Sequence, residues 1–159
     1  MRRRYMLALA AAWLAAPIAA RAQQTGPQPE LPRQKLVIVT HDGVRHDFQV
    51  EVASTLDQQE TGLMFRSVVP ADGGMLFDWG LVRDSDMWMK NTISSLDMLF
   101  IDPNGSVHHI AERTTPRSLA VISSDGPVRA TLELAAGTAE RLDIRVGDRV
   151  ETPVLGNLH

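Results

Sequence analysis

LDMLFIDPNGSVHHIAE, residues 96–112, decides the fold. An apolar run reaches Ile101, the chain turns through Asp102, Pro103, Asn104 and Gly105, and a second apolar run opens at Val107. Asn-Gly between two such runs is the strongest short signal for a β-hairpin, because both residues tolerate the positive φ of a tight turn. Upstream, residues 87–93 read as another strand, joined to residues 96–102 across Ser94-Ser95. Downstream, Ser123-Ser124 before Asp125-Gly126-Pro127 reads as a turn, and residues 130–134 alternate as a strand. Residues 138–142 suit a short helix capped by Thr138, and residues 144–151 close the domain around Gly147-Asp148.

The first half of the chain follows the same logic. Residues 35–40 are β-branched and end at His41-Asp42-Gly43, after which Val44, His46, Phe48, Val50 and Val52 set mostly apolar side chains on one face. This predicts a hairpin. Thr55 and Gln58 form a capping box for a helix to about Arg66, despite Gly62, and Met75-Leu76-Phe77 predicts a short buried strand. The expectation is a mainly β (α+β) domain, a compact, predominantly antiparallel bent sheet or small barrel of seven or eight strands with one or two short helices. Barrel-like closure leaves fewer edges exposed than an open sheet.

Ahead of this domain, Arg2, Arg3 and Arg4 precede an apolar run that ends in Ala20-Arg21-Ala22. That pattern predicts a signal peptide over residues 1–22, cleaved after Ala22, and a periplasmic or secreted product without stable membrane insertion. Sec export is the default; Arg2-Arg3-Arg4-Tyr5-Met6 also loosely resembles a twin-arginine signal. Residues 23–34, rich in Gln and Pro, read as a disordered leader, and residues 35–159 as one globular domain. Without residues 1–22 the chain has 12 basic and 19 acidic residues, a net charge of −7. An acidic balance without a basic stripe argues against nucleic acid as a partner. The absence of cysteine means that the exported chain stands without disulfides. Oligomeric state is left open.

Several motifs in order, GLMFR (62–66), GGMLF (73–77), MWMKNTISSLDMLFID (87–102) and GPVRATLELAAGTAERLDIRVGDRV (126–150), resemble the bacterial domain-of-unknown-function family 192. The resemblance spans residues 50–150 and implies a compact, often exported single domain. Met87, Ser95 and Ala130 depart from the residues usual in that family, an aromatic, a proline and a tyrosine. Loss of the proline should loosen the turn between Asn91 and Asp97.

The candidate chemistry lies in polar residues set within apolar stretches. Lys90, Arg66 and Arg129 form a possible anion-recognising set, with Asn91 and Asp97 as hydrogen-bonding partners for a small polar or anionic ligand. A structural alternative pairs Asp97 with Lys90 or Arg66 and has Asn91 bonding backbone. On a regular strand Lys90 and Asn91 would face opposite ways, so one pocket could use both only across a bulge. Glu60, Asp97 and Glu133 are the acids that could support general acid-base work, Asp97 and Glu60 foremost, although no spacing brings two carboxylates together. There is no nucleophile elbow and no phosphate-binding Gly-rich loop, and no cofactor is implied. His108 and His109 would point to opposite faces, so no metal site is expected. Met87 and Met89 would share a face, as soft copper ligands would, but core packing is the commoner use of methionine. Trp79 and Trp88 could stack on a sugar, yet both lie in core-like runs. The sequence therefore favours a small polar-ligand-binding or accessory module of the cell envelope, with a cell-envelope enzyme, such as one acting on carbohydrate, or a protein-interaction module as alternatives.

Overall fold

A computed structural model describes residues 25–158. The proposed signal peptide and its cleavage site lie outside the described residues. Seven strands form one sheet: β1 (Arg33–Val39), β2 (Arg45–Ala53), β3 (Gly73–Met87), β4 (Leu96–Ile101), β5 (Val107–Ala111), β6 (Ile122–Ala135) and β7 (Arg149–Glu151). Two short helices, α1 (Leu56–Thr61) and α2 (Thr138–Leu142), complete the expected mainly β domain. Among the described residues no helix is long and apolar enough to cross a membrane.

The spatial order is β5-β4-β6-β3-β2-β1-β7, and among the described residues β2–β3 is the one parallel pair. A parallel pair needs a crossover, which here is residues 54–72 with α1. The sheet bends until its outer members nearly meet. The Val107 N–H donates to the Asp148 carbonyl at 2.8 Å, the Val150 N–H donates to the Gly105 carbonyl at 2.7 Å, and Ser106 bridges Arg149. Asn157 braces this seam, its amide donating to the Val150 carbonyl at 2.9 Å.

Both faces of the sheet are covered. Leu36, Ile38, Phe48, Leu76, Leu99 and Leu132 belong to a core drawn from most of the strands, which α2 helps to close through Ala139 and Leu142. On the opposite face, Met75, Phe77, Met98 and Phe100 pack with Leu63, Met87 and Met89 into a second core. The second core explains why residues 96–101 show no alternation: every one is buried.

Four local expectations are corrected. Residues 87–93 do not form a strand paired with β4. β3 ends at Met87, residues 90–91 make a turn, and β4 pairs with β5 and β6. Buried Met87 and Met89 alternate with exposed Trp88 and Lys90, so a turn imitates a strand's period. Residues 123–127 stay within β6 as a bulged region opposite β3, with Asp125 and Gly126 at positive φ. α1 has the expected Thr55–Gln58 capping box but stops at Thr61, where Gly62 turns the chain at φ 50. Finally, the leader is laid against the domain from Thr25 onward. The Gln28 side chain donates to the carbonyls of Gln58 (3.1 Å) and Gly62 (2.9 Å), and β1 begins at Arg33.

One glycine fixes the approach of β3 to β6. Gly74 has φ 149, and a Cβ there would collide with the Glu133 carbonyl oxygen and lie 3.0 Å from Leu134 Cδ2. Only a residue without a side chain lets the two strands pass this closely.

Candidate functional site

A groove of about 1270 Å³ lies between α1, the turn at residues 88–92 and the distal half of β3. Its floor is Glu133. β6 places this residue across from Met75 on β3 and Met98 on β4, on the second-core face, so its stem packs in an apolar setting. Glu133 is 4% exposed, and among the described residues its carboxyl forms no hydrogen bond or ion pair. Burial alone pushes that carboxyl up to about 8, so it holds its proton at neutral pH.

The walls are aromatic and cationic. Trp79 stacks on Phe77 with ring centroids 5.6 Å apart. Its indole N–H donates to Thr131 Oγ1 at 3.2 Å, and that hydroxyl lies 3.3 Å from Ser85 Oγ. A hydroxyl pair thus fixes the orientation of the ring. The Arg83 guanidinium stands 5.1 Å from the Trp79 ring centre, and Lys90 Nζ stands 4.9 Å from that of Trp88. Neither cation has a carboxylate partner among the described residues. Trp88 is 47% exposed, contrary to the core position its neighbours suggest.

Backbone strain gathers at the same place. Phe65 and Asn91 adopt φ 63 and φ 56, and the Phe65 N–H donates to the Asn91 carbonyl at 2.9 Å. Asn suits this left-handed conformation, whereas a bulky Phe is costly there. The Asn91 amide also donates to Met64 Sδ at 3.9 Å. The turn brings Lys90 and Asn91 to one groove, which a regular strand would have prevented.

The proposed ligand set therefore divides. Lys90, Asn91 and Glu60 line the groove, whereas Arg66, Asp97 and Arg129 do not. Arg66 makes a bidentate pair with Glu51, at 2.5 and 2.9 Å, and the other Glu51 contact is the Leu31 N–H at 2.7 Å. Arg129 pairs with Asp78. Asp97 meets neither Lys90 nor Arg66. It stands one residue before Met98 and so points to the opposite face from Glu133, where it accepts the N–H groups of Arg113 (2.8 Å) and Ala139 (2.9 Å). The latter contact supplies the N-terminal cap of α2, because the capping position is Gly137, which has no side chain, and not Thr138. Asp97 is thus structural, and it leaves the list of candidate catalytic acids.

Arg66→Ala should cost about 2 kcal/mol, since it strands the buried Glu51 carboxylate, while leaving groove binding intact. Chemical denaturation beside a ligand titration checks both statements.

Arg83 and Glu133 are the site members missing from the predicted ligand set. Arg83 sits in a polar stretch without periodicity, and Glu133 occupies the apparently outward side of an alternating strand. The useful signal was the pair of strands opposite Glu133, apolar at consecutive positions and hence buried on both faces. Met87 and Met89 pack in the second core, and Met89 Sδ accepts from Thr114 Oγ1 at 3.2 Å. Among the described residues, no group of three or more His, Asp and Glu is placed to hold a metal ion.

Comparison with known proteins yields one family. The DUF192 model, described as an uncharacterized ACR, matches residues 37–152. A crystal structure from Sinorhizobium meliloti 1021, of a protein described as a candidate transcription regulator, is 43% identical with a TM-score of 0.78. The match covers 80% of this chain and 98% of that one. A Novosphingobium aromaticivorans DSM 12444 protein of unknown function is 34% identical over 87% of this chain and 94% of its own, with a TM-score of 0.72. No curated protein matches the chain.

Proposed function

The chain belongs to the DUF192 family, and from that premise we propose that it is an exported module of the cell envelope that holds a small polar ligand in the groove beneath α1. One observation carries this reading: Glu133 is buried, its carboxyl has no partner among the described residues, and it lines an open groove. Buried polar groups in folded proteins are nearly always hydrogen-bonded, and an orphan beside a cavity is a place for a ligand atom. Exposed Trp88, strained Phe65 and the cations Arg83 and Lys90 gather around the same space. Export rests on the basic-apolar-small pattern of residues 1–22.

A transcriptional role is less well supported. The acidic excess of residues 23–159 offers no electrostatic footprint for nucleic acid. A carbohydrate-active enzyme is favoured by one fact, a carboxyl held protonated near neutral pH, as a general acid must be. Binding accounts for the same carboxyl without requiring a second catalytic group, so it is the preferred reading.

The test is a thermal-shift panel on the purified protein with sugars, sugar acids, cell-wall fragments and small anions. A ligand at 100 times its Kd adds about 2.7 kcal/mol, which shifts the melting of a domain this size by several degrees. The shift should vanish in Trp88→Ala and Lys90→Ala, whose unliganded melting should stay near that of the parent because both side chains are exposed. A shift that survives both substitutions would place binding elsewhere and overturn the reading.

A further inference from the structure

We propose that the ligand of this groove is a small ring compound bearing a carboxylate, with the anion held by Arg83 and Lys90 at the mouth and a neutral oxygen hydrogen-bonded by Glu133 at the floor. This rests on the binding reading above and names the chemical class.

The charge argument begins with which cations are already occupied. Arg66 and Arg129 each have a carboxylate within contact, Glu51 and Asp78. Among the described residues Arg83 and Lys90 have no carboxylate partner: Lys90 lies over the Trp88 ring, and Arg83 lies over the Trp79 ring and donates its Nε–H to the Asp84 carbonyl at 3.1 Å. A cation over an aromatic face keeps its outer side open, while the ring limits where it can move. Of the groove carboxylates, Asp57 and Glu60 on α1 have interactions of their own. Asp86 is exposed on β3. An incoming anion therefore finds two unneutralised donors, both lining the space that Glu133 floors.

The floor selects a different atom. With its proton on, the Glu133 carboxyl can donate to a hydroxyl, ether or carbonyl oxygen; once ionised, it can only accept. Ionisation would also add a negative charge to a site that must accept an anion. The groups facing it are chiefly Met75 and Phe77 of β3, Met98 of β4 and Thr131 of β6, none of them titratable. The charged residues that line the groove around it are Arg83 and Asp86 of β3, Lys90 of the turn, and Asp57 and Glu60 of α1. Trp88 supplies the flat apolar surface on which a ring can rest.

The experiment titrates the purified protein calorimetrically with two matched pairs, glucuronate with glucose and benzoate with benzamide, at pH 6.5 and pH 9.5. Charge is tested within a pair and ring type between pairs. In one pair or both, the acid should bind at least about tenfold more tightly than its neutral partner at pH 6.5. Arg83→Gln and Lys90→Gln should each remove most of that preference by weakening the acid far more than the neutral compound. Acid binding should weaken at pH 9.5 in the parent and much less in Glu133→Gln, which keeps a donor at the floor. Equal affinity for acid and neutral compound overturns the anion assignment while leaving the groove reading standing. Absence of binding by all four compounds overturns this assignment; silence across the wider thermal-shift panel as well removes the groove reading.

Discussion

Asp97→Ala should destabilise the protein by about 3 kcal/mol, because it leaves the buried Ala139 N–H and the part-buried Arg113 N–H without their acceptor. Among the described residues α2 has no other side-chain cap at its N-terminus, so the helix start loses its acceptor as well. Asp97→Asn keeps the shape and one acceptor oxygen, so it should fall between the parent and alanine. Urea denaturation measures the series, and melting of the α2 amides in hydrogen exchange should lead the change. Should Asp97→Ala unfold with the parent's midpoint but lose ligand affinity, the assignment of Asp97 to the scaffold would be wrong.

A second large effect concerns pH. The Glu133 carboxyl has a folded value of about 8 against an ordinary 4.5, so between these values the folded chain holds a proton that the unfolded chain has released. Unfolding then liberates a proton, and stability falls as pH rises from about 4.5 to 8, levelling above that range. The steepest slope is about 1.4 kcal/mol per pH unit, and the change between pH 5 and pH 9 amounts to about 4 kcal/mol. Glu133→Gln has no such titration. Its stability relative to the parent should therefore rise by that amount between pH 5 and pH 9, as measured by denaturant midpoints across the range. Parallel curves for the two proteins would mean that the carboxyl is solvated through the groove and titrates normally.

These two acids also mark how far the sequence could be read. Strands β1, β2, β4 and β5 follow from turn chemistry and apolar runs, since both signals are local. The resemblance in the four motifs places the chain in its family for the same reason, as a matter of residue order. Which acid serves the site was not legible, because it depends on register. Asp97 pairs with Leu134 and Met98 with Glu133, so a single step along β4 moves a side chain from one core to the other. Alternation at residues 130–134 correctly separates Leu132 and Leu134 from Glu133. It cannot reveal that the other face is covered as well, because that cover comes from residues distant in sequence. The run from Met87 to Lys90 failed for a related reason, as alternating burial arises in a turn lying on a core as readily as in a strand.

The seam between the Gly105–Val107 turn and residues 147–150, braced by Asn157, closes only once residues that follow β6 have been made. While the chain is still emerging, β5 and β1 have backbone groups that only those later residues will satisfy, and the same groups can recruit a strand from another molecule. The interval of greatest exposure to misassembly therefore falls between the making of β5 and the making of residues 147–157. A protein without disulfides to hold an incomplete ring must cross that interval quickly or under the care of a chaperone.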